Sequence, residues 1–222
     1  MNTVIVIPAR MQSTRLPNKP LKQKNGKSLI QHVWEQCKQT GHDVYVATDH
    51  QDIVNEVESF KGKCIMTDPN IPTGTDRCAE ILKHTDHSFI VNVQGDMPYV
   101  TPEMIDKTLM LLREHPVSTL YTEMPEDKQN DPSTVKMIRY HDKALWFGRG
   151  MTGYGDWHLG IYGFSANVLS CYANLDITQE ERVEKLEQLR WLKNGWRIGC
   201  AKVSFDGLEI NTPEDYEIWC SQ

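Results

Sequence analysis

An α/β protein built on a mostly parallel sheet with helices on both faces, followed by a smaller β-rich lobe, is the fold class that this chain of 222 residues predicts. Three observations carry that reading. The first strand candidate, residues 3–7, is β-branched and apolar without alternation, as a strand covered on both faces should be. Strand and helix patterns then alternate with short connections as far as residue 116. From residue 117 short strand candidates and turn pairs such as Asp131-Pro132 and His141-Asp142 replace the alternation.

The elements follow in order. Ile30, Val33, Trp34 and Cys37 recur at helical spacing, with Gln31, Glu35 and Lys38 opposite, and Gly41 ends that helix. Residues 44–47 read as a strand, 52–60 as a helix, 63–66 as a strand and 77–84 as a helix. Residues 88–93 form the next strand, and a helix from 102 to 114 begins with Pro102, which suits a first turn. In the second half residues 117–121, 134–140, 144–147 and 158–164 are strand candidates. A helix over 179–194, a strand over 197–203 and a last helix opened by Thr212, with Asp215 three residues on, complete the chain. One domain over residues 1–222 is expected. Residues 1–116 and 195–222 form its body, and 117–194 the smaller lobe.

Composition excludes several classes. Lys and Arg total 24 against 30 Asp and Glu, a net charge of −6, which argues against nucleic acid as a partner because nonspecific binding needs phosphate neutralisation. No apolar run approaches the ~20 residues of a bilayer span, and no basic lead precedes the first apolar stretch, so neither a membrane partner nor a signal peptide is expected. Six scattered cysteines without a C-x-x-C pair suit a reducing, cytoplasmic compartment rather than disulfides or zinc. Charge is uneven, however: residues 1–34 hold no acid but six cations, Arg10, Arg15, Lys19, Lys22, Lys24 and Lys27, which marks a local anion site.

Two loops could carry chemistry. The loop from Pro8 to Pro20 follows the first strand and lacks both glycine-rich nucleotide fingerprints; it offers Arg10, Arg15 and Lys19 on a backbone stiffened by three prolines. Such donors suit the charge that develops on departing pyrophosphate. The segment V-N-V-Q-G-D at residues 91–96 ends a buried strand with Asp96, a candidate Mg²⁺ ligand because Mg²⁺ is usually held by one or two carboxylates plus substrate phosphates.

These loops belong to an ordered set of motifs. P-A-R-x-x-S-T-R-L-P-x-K-P-L spans residues 8–21, V-A-T-D-H 46–50, T-G-T-D-R 73–77 and V-N-V-Q-G-D 91–96. T-V-K follows at 134–136, H-L-G-I-Y-G at 158–163, E-K-L-E-Q-L-R at 184–190 and T-P-E-D at 212–215. Over its whole length the chain resembles the cytidylyltransferases of 3-deoxy-manno-octulosonate (Kdo), the CMP-Kdo synthetases. The resemblance implies a Rossmann-like nucleotidyltransferase fold and a cytoplasmic, Mg²⁺-dependent homodimer that joins CTP to an ulosonic acid, releasing pyrophosphate and serving bacterial surface polysaccharide. It implies that Arg10, Arg15 and Lys19, with Pro8 and Ala9 beside them, hold the triphosphate. Thr73, Gly74, Thr75 and Arg77 would line the cytosine and ribose pocket. Asp96 and position 211 would bind the metal, and Gln94, Arg149, His158, Tyr162, Glu187 and Gln188 would surround the sugar acid. A helical wheel puts Glu184, Glu187, Gln188 and Trp191 on one arc, opposite Val183, Leu186 and Leu189.

Three departures from the family pattern stand out. Met97 occupies a position that is usually Glu, Asn211 one that is usually Asp, and the segment 150–157 is short. Glu209, two residues before Asn211, could restore the lost charge if that stretch is a strand. Kdo or a modified, amino-bearing Kdo is the expected acceptor. A sialic-acid-like sugar and a non-catalytic CTP-binding role stay open as alternatives.

Overall fold

The structure, a computed structural model, describes residues 2–13 and 15–222; Thr14 of the S-T-R-L-P motif lies outside the described residues. The strands are β1 (Thr3–Ala9), β2 (Gln23–Lys24), β3 (Lys27–Ser28), β4 (Asp43–Thr48), β5 (Lys63–Met66), β6 (Phe89–Val93), β7 (Val117–Thr122), β8 (Lys136–Tyr140), β9 (Lys143–Gly148), β10 (Asp156–Ser165) and β11 (Ile198–Lys202). The helices are α1 (Leu29–Lys38), α2 (Gln51–Ser59), α3 (Gly74–Ala79), α4 (Pro102–Leu111), α5 (Ala166–Tyr172), α6 (Gln179–Glu184), α7 (Gln188–Lys193) and α8 (Pro213–Ser221).

Among the described residues nine strands form one sheet in the order β5-β4-β1-β6-β10-β7-β11-β9-β8. The first four are parallel, as the alternating half of the sequence predicts. β10 enters antiparallel between β6 and β7, and β9 and β8 are antiparallel at the far edge, so the sheet as a whole is mixed. The strands expected in a smaller lobe therefore extend the same sheet. β1 is buried at all seven positions. Val4 and Val6 pack with Cys78, Phe164 and Trp191 on one face, and Ile5 and Ile7 with Ile30, Val33 and Ile105 on the other. That two-sided covering is why β1 lacks apolar–polar alternation.

Local signals behave as their chemistry requires. Ser28 caps α1, accepting from the Gln31 N–H, and Gly41 takes the left-handed turn after it at φ +77°. Thr212 and Asp215 form a reciprocal capping box at α8. Elsewhere the structure differs. The helix expected over 77–84 begins at Gly74, because Thr73 accepts from the Asp76 N–H, and tightens into a 3₁₀ turn at Glu80–Lys83. α5 was not expected; Ser165 caps it.

The expected helix 179–194 is two helices. Lys185 adopts a left-handed conformation at φ 55°, closing α6, and α7 starts afresh at Gln188. The break voids the single-wheel reading: Trp191 lies in the core at 1% exposure and Val183 in solvent at 72%.

Candidate functional site

The cavity lies beyond the carboxyl ends of the parallel strands, where an α/β sheet places its ligands. Its volume is about 1030 Å³, at the upper end of ordinary ligand sites and large enough for a nucleotide and a sugar together. β1 delivers Pro8, Ala9 and Arg10 to it, with Arg15 and Lys19 further along the same loop. β6 delivers Gln94 and Asp96. β10 runs the other way: Ile161 pairs with Val93 at the end of β6, so the strand's first residues, including His158 and Gly160, project past that end into the cavity wall. A Cβ on Gly160 would stand 3.0 Å from Gln94 Cγ, so a larger residue there would have to displace the Gln94 side chain by a few tenths of an ångström.

The cationic loop and the aspartate face each other as the sequence predicts. Lys19 Nζ donates to Asp96 Oδ2 at 2.7 Å and to Asn211 Oδ1 at 3.4 Å, and Arg15 donates to the same Asn211 oxygen at 3.3 Å. Two side-chain oxygens from segments 115 residues apart thus converge on one positive centre. Glu209 lines the cavity beside them; burial first, and then the Asp96 charge, pushes its carboxyl up to about 7. Glu209 lies in irregular chain, so the strand on which a shared face with Asn211 was conditional is not formed. Oxygen donors from Asp96, Glu209 and Asn211 match what Mg²⁺ takes, so the residues present fit that ion. Met97, where the family pattern has a carboxylate, is fully buried in the apolar core.

The opposite wall is polar but closed. His158 and Tyr162 are each 4% exposed and Gln188 is 3% exposed, yet all three reach the cavity. Burial, and then the Arg149 charge, holds His158 down to about 3, so the imidazole is neutral. Burial drives the Tyr162 hydroxyl well above its usual 10. Arg149 is fixed at both ends: its backbone N–H donates to Glu184 Oε2 at 2.7 Å, and its side-chain Nη1 donates to the Ser133 carbonyl at 2.5 Å.

Thr73 and Gly74 line the cavity from the start of α3, whereas Thr75 and Arg77 do not. Thr75 is buried, its N–H donating to Glu187 Oε2 at 2.9 Å. Arg77 is fully buried, donating to Thr67 Oγ1 and, at 3.1 Å, to Asp49 Oδ2. The capped start of α3 turns these two side chains inward, so they shape the pocket from behind instead of lining it. Glu187 does line the cavity, but its carboxylate is occupied by the nucleotide-side loop, and burial raises its pKa.

Two groups escaped the sequence reading. Asp49 lines the cavity and anchors Arg77; its V-A-T-D-H motif was visible, but nothing local shows which way the carboxylate points. Arg190 lies in α7 and ties Glu181, at 2.6 Å, to Asp76 of α3, at 3.4 Å. That network joins the two walls, and only the fold brings its members together. A further group with metal-ligand spacing, Glu114, His115 and Asp142, shares no residue with the cavity. No helix among the described residues is long and apolar enough to cross a membrane.

Comparison with known proteins agrees with this geometry. The sequence model of a family described as cytidylyltransferase matches residues 4–198. Two similar relatives are 8-amino-3,8-dideoxy-manno-octulosonate cytidylyltransferases. The one from Shewanella woodyi is 40% identical and that from Shewanella halifaxensis 39%, each match covering 98% of this chain and 97% of the relative. Among solved structures, a CMP-2-keto-3-deoxy-manno-octonic acid synthetase in complex with CTP superposes with a TM-score of 0.92 at 36% identity, covering 99% of this chain and 97% of that one. With a cavity of the right size at the right strand ends and likeness over nearly the whole length, the chain belongs to the cytidylyltransferase family.

Proposed function

We propose that this enzyme transfers the cytidylyl group of CTP to the anomeric hydroxyl of a Kdo-type sugar acid, with the 8-amino derivative as first candidate, and releases pyrophosphate. The observation that carries the reading is one cavity with two unlike walls, cationic and open on one side, polar and buried on the other. Relatives of matching length, named for the 8-amino sugar, support the acceptor class.

The roles follow from the residue types. Arg10, Arg15 and Lys19 neutralise the triphosphate and the charge that grows on the leaving pyrophosphate. Thr73 and Gly74 border the nucleoside. Arg149, held at its backbone by Glu184 and at Nη1 by the Ser133 carbonyl, keeps its remaining guanidinium N–H groups to pair in a charge-assisted way with the sugar carboxylate. His158, Tyr162 and Gln188 meet sugar hydroxyls from a wall that excludes water. The anomeric oxygen attacks the α-phosphorus in line, the bond from that phosphorus to the oxygen bridging it to the β-phosphorus breaks, pyrophosphate departs, and the hydroxyl proton passes to solvent. Asp96, Glu209 and Asn211 would hold Mg²⁺. When bound, the ion lowers the pKa of the attacking hydroxyl and offsets phosphate charge.

The proposal extends to setting. Six free cysteines, three of them buried, suit a reducing cytoplasm. A homodimer that feeds surface polysaccharide synthesis is the assembly and pathway this reading favours, and sedimentation equilibrium at twice the chain mass would support the dimer. The deciding experiment is pyrophosphate release from CTP with Mg²⁺ and a panel of sugar acids. Turnover with Kdo or its 8-amino derivative is expected. Turnover with a sialic-acid-like sugar alone, or CTP binding without turnover of any acid, would overturn the assignment.

A further inference from the structure

The bulge in β10 has a chemical consequence inside the site. Leu159 pairs with Leu120 of β7, but the next pair is Tyr162 with Thr119, so Gly160 and Ile161 have no partner in that ladder. A bulge leaves backbone groups that need another partner. Thr119, fully buried on β7, supplies one: its Oγ1 lies 2.8 Å from the Ile161 carbonyl oxygen. The same Oγ1 lies 2.9 Å from Nε2 of His158 and 3.4 Å from the Leu159 carbonyl.

A threonine hydroxyl has one hydrogen to give. A carbonyl oxygen cannot donate, so at 2.8 Å the hydrogen must lie on the line from Thr119 to Ile161. The face of the hydroxyl toward His158 is therefore a lone pair, and the imidazole nitrogen there must carry the proton. Phe147, with ring centroids 4.9 Å away at 79°, and Tyr162, 5.4 Å away at 44°, hold the imidazole plane. Nδ1 makes no hydrogen bond among the described residues, and the ring that carries it lines the cavity.

We infer that Thr119 is a positioning residue which locks His158 as the neutral Nε2–H tautomer, so that Nδ1 is presented to the sugar as a pure hydrogen-bond acceptor. The sugar half of this statement rests on the function proposed above; the tautomer does not. An acceptor at this point selects a donor, either a hydroxyl or an ammonium of the sugar acid. It repels phosphate and carboxylate oxygens, which are left to the arginines. It thereby orients the acid within a cavity that also admits a triphosphate.

Two measurements test this. In the full-length protein carrying ¹⁵N-histidine, with the His158 signals identified by their loss in His158→Gln, the expected signature at neutral pH is a protonated Nε2 and a bare Nδ1. An Nδ1–H tautomer or an imidazolium overturns the inference, whatever the enzyme acts on. Thr119→Val removes the acceptor and keeps the shape. Its KM for the sugar acid should rise about tenfold, the scale of one lost buried hydrogen bond, with kcat and the KM for CTP little changed. Thr119→Ser should restore most of the sugar affinity. Equal losses for CTP and sugar, or a Ser variant as poor as the Val variant, would reduce Thr119 to a packing residue. Should Thr119→Val fail to fold, the ¹⁵N signature of the unaltered chain still decides the tautomer. If no sugar acid is turned over while the Nε2–H signature is found, the functional proposal falls and the tautomer stands.

Discussion

Arg10 and Arg15 stand exposed on an irregular loop, and Lys19 is half-buried behind them; across the cavity His158, Tyr162 and Gln188 are almost wholly enclosed. The two walls face the same space under different physical constraints. Exposed cations keep most of their hydration, so the first wall can hold unneutralised charge cheaply until a triphosphate arrives. Enclosed polar groups must be satisfied as the chain folds, so the second wall is organised in advance. Thr119 on His158 is an instance. Substitutions in the first wall should therefore cost rate and leave stability alone, while those in the second should cost stability as well.

The sharpest probe of the open wall is Asp96→Asn. The loss of charge beside Lys19 should lower kcat by about 10³-fold, the upper range for removing one electrostatic group from a transition-state site. Asp96 is 19% exposed and its partner Lys19 20%, so the urea midpoint should barely move. A large fall in the midpoint would break the comparison by showing that this wall also holds the fold together.

The next effect belongs to the support of the closed wall. Arg190 is 2% exposed and donates to Glu181 from Nε at 2.9 Å and from Nη2 at 2.6 Å, with Asp76 beyond. Arg190→Met should cost about 3 kcal/mol, because Glu181 would be left as a buried charge without its partner. Denaturant titration reads this directly. A cost under about 1 kcal/mol would mean that Glu181 finds water, and that the enclosure described above is leaky.

The elements legible from sequence alone are those whose signal is local. Residues 3–7 have no polar position to hide, Thr212 and Asp215 lie one turn apart, and the loop 8–20 concentrates cations; each was readable without knowing what lies opposite. The break at Lys185 was not readable, because E-K-L-E-Q-L-R is a sound helical string; in the fold Lys185 turns left-handed while Leu186 and Trp191 are both buried. Arg77 was placed on the pocket wall because its motif suggested it, but the side chain's direction depends on Asp49 and Thr67, from separate strand ends. Thr119 carried no signal at all. Its role arises from a register shift between β7 and β10, a property of a strand pair and not of either strand.

A smaller effect separates the walls through pH. His158 titrates near 6.5 when unfolded and is held down to about 3 in the folded chain. Between those values the unfolded state takes up a proton that the folded state refuses. Stability from this group is therefore full above pH 6.5 and falls as the solution is acidified, by about 2 kcal/mol at pH 5. His158→Gln should remove that part of the slope, so unfolding curves at pH 7 and pH 5 should lie closer together than for the unaltered chain. Equal spacing would show that the imidazole is wetter than its 4% exposure implies.

The smallest expected change is a gain. Asn211 Oδ1 already accepts from Lys19 and Arg15, the arrangement a carboxylate would strengthen. Asn211→Asp adds a negative charge to a set that would hold Mg²⁺, and should lower the Mg²⁺ concentration for half-maximal turnover by about tenfold, or ~1.4 kcal/mol. The gain is bounded by competition: the new carboxylate also draws Lys19 closer, and an ammonium at that point must yield before an ion can enter. Glu209→Gln discriminates between the two consequences. If Glu209 supplies the charge that Asn211 lacks, Glu209→Gln raises the Mg²⁺ requirement, and adding Asn211→Asp brings it back. Should Asn211→Asp leave the Mg²⁺ requirement unchanged in both backgrounds, position 211 serves only to seat the cationic loop, and Asp96 and Glu209 would hold Mg²⁺ without it.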